Sequence, residues 1–308
     1  MTNAESLEQR PAGGGLPHVP RWFRRTVLMF PLLLAASAFA SARAQSDTTL
    51  STIGLFTYRD ALLAGGIVVT TLLARQVDEQ YSLRLQDSST QANERLHRIA
   101  MVVRTTVAPG SYIIGTTMYL AGRAVKNDHL ARLGLHGTEA LLVGEAVGGV
   151  LKGLVGRQRP YVQPQNSHSY KFLRGFGGGD SFRSFPSGHT LGAFAVAAAV
   201  SSETSSWWPN TRWIIGPAIF GGAALTGASR MYDNKHWASD VVMGAGIGTF
   251  AGLKVVRYHD KYPNSRIDRW LLSGSITPTG DGGHSLHWSL FPTVSLGARS
   301  NAAGGSSR

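Results

Sequence analysis

The sequence predicts an all-α protein, a helical bundle with a small β-hairpin added near its C-terminal end. Three observations point to this. Uncharged or weakly charged runs of helical length recur between residues 61 and 256. They are separated by stretches rich in Gly, Pro, Asn and Ser, which punctuate rather than extend regular structure. Only near the end does the pattern become alternating. Leu286, Trp288 and Leu290 alternate with polar neighbours, Val294 and Leu296 resume the pattern, and Ile276 lies across a Gly280-Asp281-Gly282-Gly283 turn; this is hairpin grammar.

Residues 1–44 stand apart from the fold. Arg21, Arg24 and Arg25 precede an apolar run over 26–40, and Ala42-Arg43-Ala44 forms a small-residue exit before Gln45. Charge, short apolar run and small-residue exit describe a secretory signal peptide, with an uncleaved anchor as the rival reading. Export to the cell envelope is the expected destination. Residues 45–58 read as a linker, within an N-terminal helical region that extends to 125. Inside it, 61–74 is a helix-like run, 76–98 is polar with helix-compatible composition, and 105–122 is uncharged but interrupted by Pro109. The region 126–260 carries the chemistry: a helix over 138–155, a long loop over 156–186, a small-residue helix over 190–200, an apolar Gly-rich run over 213–229 and a helix over 238–256. Residues 261–308 hold the hairpin and a tail, 301–308, of disordered composition.

Lys and Arg number 30 against 18 Asp and Glu, a formal net charge of +12. A surplus of this size suits anionic partners. No run interleaves basic and aromatic residues as nucleic-acid modules do, so nucleic acid is not expected. The absence of cysteine excludes disulfides, a thiol nucleophile and a Cys-ligated zinc. None of the uncharged runs clearly reaches the roughly 20 residues of a spanning helix, and the mean hydropathy is −0.04. A soluble bundle and a compact membrane bundle both remain open at this point.

Three clusters carry candidate chemistry. In the first, Lys152 lies near a helix end, and Arg159 follows seven residues later, just before Pro160. A compact ammonium and a planar guanidinium together can hold several oxygens of one phosphate. In the second, Pro186-Ser187-Gly188-His189 leads into a helix. Ser187 is placed to cap that helix, Gly188 lets backbone approach a ligand, and free N–H groups at a helix start bind anions. His189 stands where a proton can be handed to a leaving oxygen. In the third, Ser229-Arg230 precedes His236 and Asp240. Four residues apart on a helix, the last two share a face, and a carboxylate beside an imidazole fixes its tautomer. Each cluster also has a plainer structural reading, as helix-end cations, a capping turn, or a structural His–Asp pair. His168, His259, His284 and His287 lack such company and read as surface or loop residues.

In order and spacing, Lys-x6-Arg-Pro, Pro-Ser-Gly-His and Ser-Arg-x5-His-x3-Asp resemble the pattern of the type 2 phosphatidic acid phosphatase and vanadium haloperoxidase superfamily, over about residues 138–256. The resemblance implies an all-helical bundle with the three motifs at one end. It implies that His236 is the nucleophile, Asp240 its orienting partner and His189 the general acid. Lys152, Arg159 and Arg230 would bind phosphoryl oxygens, helped by Ser187 and the Gly188 amide. A phosphatase of this kind needs no metal or other cofactor; vanadate would occupy the site as an inhibitor. The implied activity is phosphate monoester hydrolysis through a phosphohistidine, on a phosphorylated lipid such as phosphatidic acid, an isoprenyl pyrophosphate, or a small phosphate ester, with association at a membrane surface. Two other functions use the same residues: a haloperoxidase with vanadate as cofactor, and a non-catalytic envelope protein that binds anionic headgroups. The aromatic residues Tyr161, Tyr170, Phe172 and Phe176 of the long loop suggest a cover that sets specificity.

Overall fold

The computed structural model describes residues 55–262, apart from Gly178 and the side chains of 106–109, together with the backbone of two short strands, 275–278 and 284–287. The expected signal segment and tail lie outside the described residues, as does the turn of the hairpin.

Among the described residues, eight α-helices follow one another: α1 Tyr58–Arg75, α2 Asp78–Leu85, α3 Ser88–Gln91, α4 Glu94–Ala124, α5 Asp128–Val155, α6 Gly188–Trp207, α7 Arg212–Tyr232 and α8 Ala238–Lys261. The strands β1 Ser275–Pro278 and β2 His284–His287 pair antiparallel, with Ser275 opposite His287. The bundle and hairpin are those predicted. Several helix boundaries differ from expectation; α6, expected over 190–200, runs on to Trp207. The backbone of α4 continues as helix through Pro109, so the proline does not divide the run. α5 starts ten residues earlier than expected, because the side chain of Asn127 caps it by accepting from the Leu130 amide at 3.0 Å.

α6 is the central helix. It packs on α5, α7 and α8, while α1 lies on α8, and α4 covers α5 and α7. Its small-residue composition makes this possible. Ala195, Ala197, Ala198 and Ala199 are buried, and Phe194 meets Phe220 of α7 in a tilted pair. The tightest seam runs between α6 and α8. Gly244, Gly248 and Gly252, one turn apart on α8, face backbone atoms of α6. A Cβ at Gly244 would lie 2.5 Å from the Ser187 carbonyl oxygen, and one at Gly248 would lie 2.1 Å from that of Leu191. Glycine is required here because two backbones touch. The seam sets the start of α6 beside the start of α8, and both starts carry chemistry.

Polar contacts tie the same helices together away from that end. His136 of α5 pairs with Glu203 of α6, and His259 of α8 pairs with Glu139 of α5 at 2.5 Å; the two imidazoles stack with centroids 4.0 Å apart. His259, expected at the surface, is therefore a buried helix-to-helix contact. Burying it beside Glu139 meets the requirement that interior polar groups be hydrogen-bonded. At the N-terminal side, Lys254 of α8 pairs with Asp60 of α1 at 2.6 Å between the rings of Phe56 and Phe250.

The outer surface is apolar over several helices. Leu62, Leu72 and Leu73 on α1, Ile113 and Ile114 on α4, and Leu142 and Val150 on α5 are all exposed. Among the described helices, α8 is long and apolar enough to cross a membrane, with 56% of that stretch buried inside the protein; α1 and α2, bent by 57°, meet the test only as a pair.

Candidate active site

The three clusters meet at one end of the bundle. α5 ends at Gly156, whose φ of 55° places it in the left-handed region that favours glycine. This leaves Lys152 in the last helical turn, facing the first residue of α6. A Cβ on Gly188 would lie 3.2 Å from Lys152 Nζ, so the ammonium sits directly over the helix start. The chain after Gly156 crosses the mouth of the site and delivers Arg157 and Arg159. α7 ends with Arg230. A tight turn through Asn234, with φ of 56°, then brings His236 to the N-terminus of α8.

His236 is buried, and its two ring nitrogens have different partners. Nδ1 lies 2.7 Å from the Ser184 carbonyl oxygen and 3.7 Å from Asp240 Oδ2. A carbonyl can only accept, so Nδ1 carries the proton and Nε2 keeps its lone pair. Arg159 Nη1 lies 3.3 Å from Nε2. Burial lowers the His236 pKa to about 4; Asp240 pulls it upward, while Arg159 and Lys152 push it further down. The imidazole is neutral at neutral pH and presents a free nitrogen to the pocket.

Asp240 is fully buried and accepts from three sides: Arg157 Nη1 at 2.5 Å on Oδ1, and Ser184 Oγ at 2.5 Å and the Trp237 amide at 2.9 Å on Oδ2. Burial works to raise its pKa, but Arg157, His236 and Ser184 outweigh this and hold it at about 2. It is thus a fixed negative charge beside the imidazole.

The cations are held in place by neighbours. Arg159 donates from Nε to the Asp180 carbonyl at 2.8 Å, from Nη2 to Asp180 Oδ1 at 2.7 Å, and from Nη1 to the Lys235 carbonyl at 3.0 Å. Arg230 donates from Nη1 to Asp233 at 3.0 Å, and Asp233 is braced in turn by Arg104 of α4 at 3.5 Å. Its buried Nε has no hydrogen-bond partner among the described residues, which leaves a donor for an incoming oxyanion. His189, in the first turn of α6, is partly buried. Burial lowers its pKa to about 4, and Arg230, Lys152 and Arg159 add repulsion. Ser187 occupies the N-cap position of α6, but its Oγ lies 2.9 Å from Thr190 Oγ1 instead of capping a backbone amide. Its own amide donates to the Asp240 carbonyl at 3.0 Å, which joins the second cluster to the third.

The structure therefore brings together all eight residues picked out from the sequence. It adds four that were passed over. Ser184 supplies the acceptor for the His236 proton, a backbone atom with no sequence signature. Asp180 seats Arg159 from the long loop. Glu145, two turns before Lys152 on α5, places its carboxylate beside the same Gly188, where a Cβ would lie 3.3 Å from Oε2. Arg157, one of the unspecified positions of Lys-x6-Arg, is fully buried and makes more polar contacts than any of the expected cations. The loop aromatics Tyr161, Tyr170, Phe172 and Phe176 are all exposed, and Tyr170 also lies against the guanidinium groups of Arg157 and Arg75. No group of three or more metal-ligating side chains is gathered among the described residues.

The helical bundle gathers buried cations and two histidines around the start of one helix. Residues 135–263 match the model of the PAP2 superfamily. Over 112 residues it is 38% identical to a lipid A 1-phosphatase of Porphyromonas gingivalis; the match spans 36% of this chain but only 22% of that protein. Among solved structures, it is similar to the first transmembrane PAP2 type phosphatidylglycerolphosphate phosphatase from Bacillus subtilis, with 21% identity and a TM-score of 0.48, over 67% of this chain and 98% of that one.

Proposed function

We propose that the protein is a phosphoric ester hydrolase that removes phosphate from a phosphorylated lipid, with His236 as nucleophile and without a metal. The observation that carries this reading is the state of His236: a neutral imidazole with its proton held on Nδ1 and its Nε2 facing Arg159.

The chemistry follows from the geometry. Lys152, Arg159, Arg230 and the amides at the start of α6 bind the non-bridging phosphoryl oxygens and offset the charge that a divalent cation offsets in other phosphoryl-transfer sites. Nε2 of His236 attacks phosphorus, and the bond to the leaving oxygen breaks. His189 gives that oxygen a proton, so an alcohol departs. In the empty site His189 is neutral; bound phosphate neutralises the surrounding cations and raises its pKa into the range of a proton donor. Water then attacks phosphorus and loses its proton to His189, and the N–P bond breaks to release inorganic phosphate. Asp240 stabilises the positive imidazole of each transition state.

A lipid substrate is supported by the exposed apolar faces of α1, α4 and α5, which suit association with a membrane, and by the similarity to a lipid A 1-phosphatase. The test is phosphate release by the purified protein from lipid A, phosphatidic acid and phosphatidylglycerolphosphate in mixed micelles, against p-nitrophenyl phosphate, with and without EDTA. The expected result is EDTA-insensitive release, faster from a lipid, abolished in His236→Ala and sensitive to vanadate. Release by His236→Ala at the wild-type rate would overturn the mechanism.

A further inference from the structure

We propose that Arg157, seated on Asp78 of α2, is a positioning residue that keeps Asp240 ionised and aimed at His236, and that α2 is therefore a working part of the active site. The inference deepens the proposed function and rests on His236 and Asp240 acting as described there.

The geometry of Arg157 is that of a completed joint. Nη1 donates to Asp240 Oδ1 at 2.5 Å and to Ser239 Oγ at 2.7 Å. Nη2 donates to Asp78 Oδ2 at 2.7 Å and to the Ser167 carbonyl at 2.8 Å, which Nε also reaches at 3.1 Å. All five N–H bonds of a guanidinium have an acceptor. Its flat faces are covered by the rings of Trp237 and Tyr170, 5.3 and 5.4 Å away. No donor is left for a substrate, so Arg157 is distinct in role from Arg159 and Arg230, which face the pocket.

Asp78 completes the arrangement from outside the region matched to the family. It is 1% exposed. Oδ1 accepts from the Ser239 amide at 2.8 Å, and Oδ2 accepts from Ser239 Oγ at 2.6 Å as well as from Arg157. It thus takes an amide that the first turn of α8 cannot satisfy internally, one residue before Asp240. Two buried carboxylates share one buried cation. Arg157 lowers the cost of charge on Asp240, while Asp78 fixes where Arg157 stands and, as a like charge, opposes ionisation of its neighbour.

The two partners therefore have opposite effects on the acidic limb of kcat/KM, where His236 takes up a proton. In Arg157→Gln the charge on Asp240 is no longer compensated. Either His236 gains a proton more readily or Asp240 itself titrates, and both move the limb to higher pH. In Asp78→Asn a negative charge is removed, and the limb stays or moves to lower pH. Neither residue touches phosphate, so KM changes little.

The experiment measures kcat and KM against pH for p-nitrophenyl phosphate in wild type, Arg157→Gln, Arg157→Lys, Asp78→Asn and His236→Ala, each normalised to folded protein by circular dichroism. The expected result for Arg157→Gln is a limb raised by about one pH unit or more and a kcat lower by about ten- to a hundredfold, the scale of a misplaced catalytic group. Arg157→Lys, which keeps the charge, returns the limb toward wild type without restoring kcat. For Asp78→Asn, kcat falls by about tenfold with no upward shift. Folded Arg157→Gln with the wild-type limb, or folded Asp78→Asn with wild-type kcat, overturns the inference. If Arg157→Gln does not fold, Asp78→Asn and Arg157→Lys decide it by the same criteria. A wild type with no activity, or an active His236→Ala, refutes instead the phosphatase reading on which it rests.

Discussion

The Nδ1 proton of His236 is held by the backbone carbonyl of Ser184 at 2.7 Å, while the Asp240 carboxylate stands 3.7 Å from the same nitrogen. The tautomer is thus set by backbone, and the carboxylate supplies charge. Replacing Ser184 by Ala keeps the carbonyl and removes only the Oγ bond to Asp240, so kcat is expected to fall by about ten- to a hundredfold, the worth of one hydrogen bond to a charged group, with KM unchanged. Asp240→Asn breaks a buried ion pair and is expected to cost about 3–5 kcal/mol of stability along with most of the activity. Steady-state kinetics and denaturant midpoints separate the two.

Glu145 places its carboxylate beside Lys152 and Gly188, at the helix start proposed to receive phosphate. Burial raises its pKa, with Lys152 opposing. Glu145→Gln removes the repulsion felt by an incoming oxyanion. Inhibition by inorganic phosphate at neutral pH is expected to tighten by about two- to fivefold, the range of a partly screened charge pair. An unchanged inhibition constant counts against a role for this carboxylate in the pocket.

Acid stability follows from the same groups. The folded-state pKa values of His236 and His189, about 4, lie below the ordinary 6.5, so the unfolded chain takes up protons that the folded chain refuses. Stability from these groups is complete above 6.5 and declines as pH falls toward 4. Asp240 acts in the same sense at lower pH: held at about 2 against an ordinary 3.8, it contributes fully above 3.8 and loses that contribution as pH falls from there toward 2. A denaturant midpoint that drops between pH 7 and pH 5, with a smaller drop in His189→Gln, is the expected outcome.

Much of this site was legible in the sequence because its cations and imidazoles stand at helix ends, where spacing along the chain translates into position. What was not legible depended on contacts across the chain. Asp78 reaches Ser239 over 161 residues, and no local pattern announces it. Ser184 acts through its carbonyl, which every residue possesses. Arg157 sits two residues from Arg159 and resembles it in type, yet one turns inward to carboxylates while the other faces the pocket; only the path of the chain after Gly156 separates them. His259 was misread because its partner, Glu139, lies on another helix.

The α6–α8 seam offers a direct test of how the site is assembled. Gly244→Ala would bring a methyl carbon within 2.5 Å of the Ser187 carbonyl oxygen, a backbone atom that cannot swing aside. The helices must part, at a cost of about 1–3 kcal/mol for overpacking, and with them His189 and His236. Activity is expected to fall by about a hundredfold, as for a reacting group displaced by an ångström, while the helical circular dichroism spectrum is retained. Gly149→Ala, with open space around it, serves as the control and should retain both.

A seam closed at its glycines by main chain alone has little cushion at those points. Elsewhere in a helical protein, a shift of one helix is absorbed by rotamers between it and the next. Here the two helices that set His189 and His236, the proposed proton donor and nucleophile, meet main chain to main chain at the glycines, so neither can drift alone. Divergence in what such a protein accepts is therefore expected at exposed side chains of the long loop such as Phe172 and Phe176, which can change without moving the residues that hold His236 and Asp240.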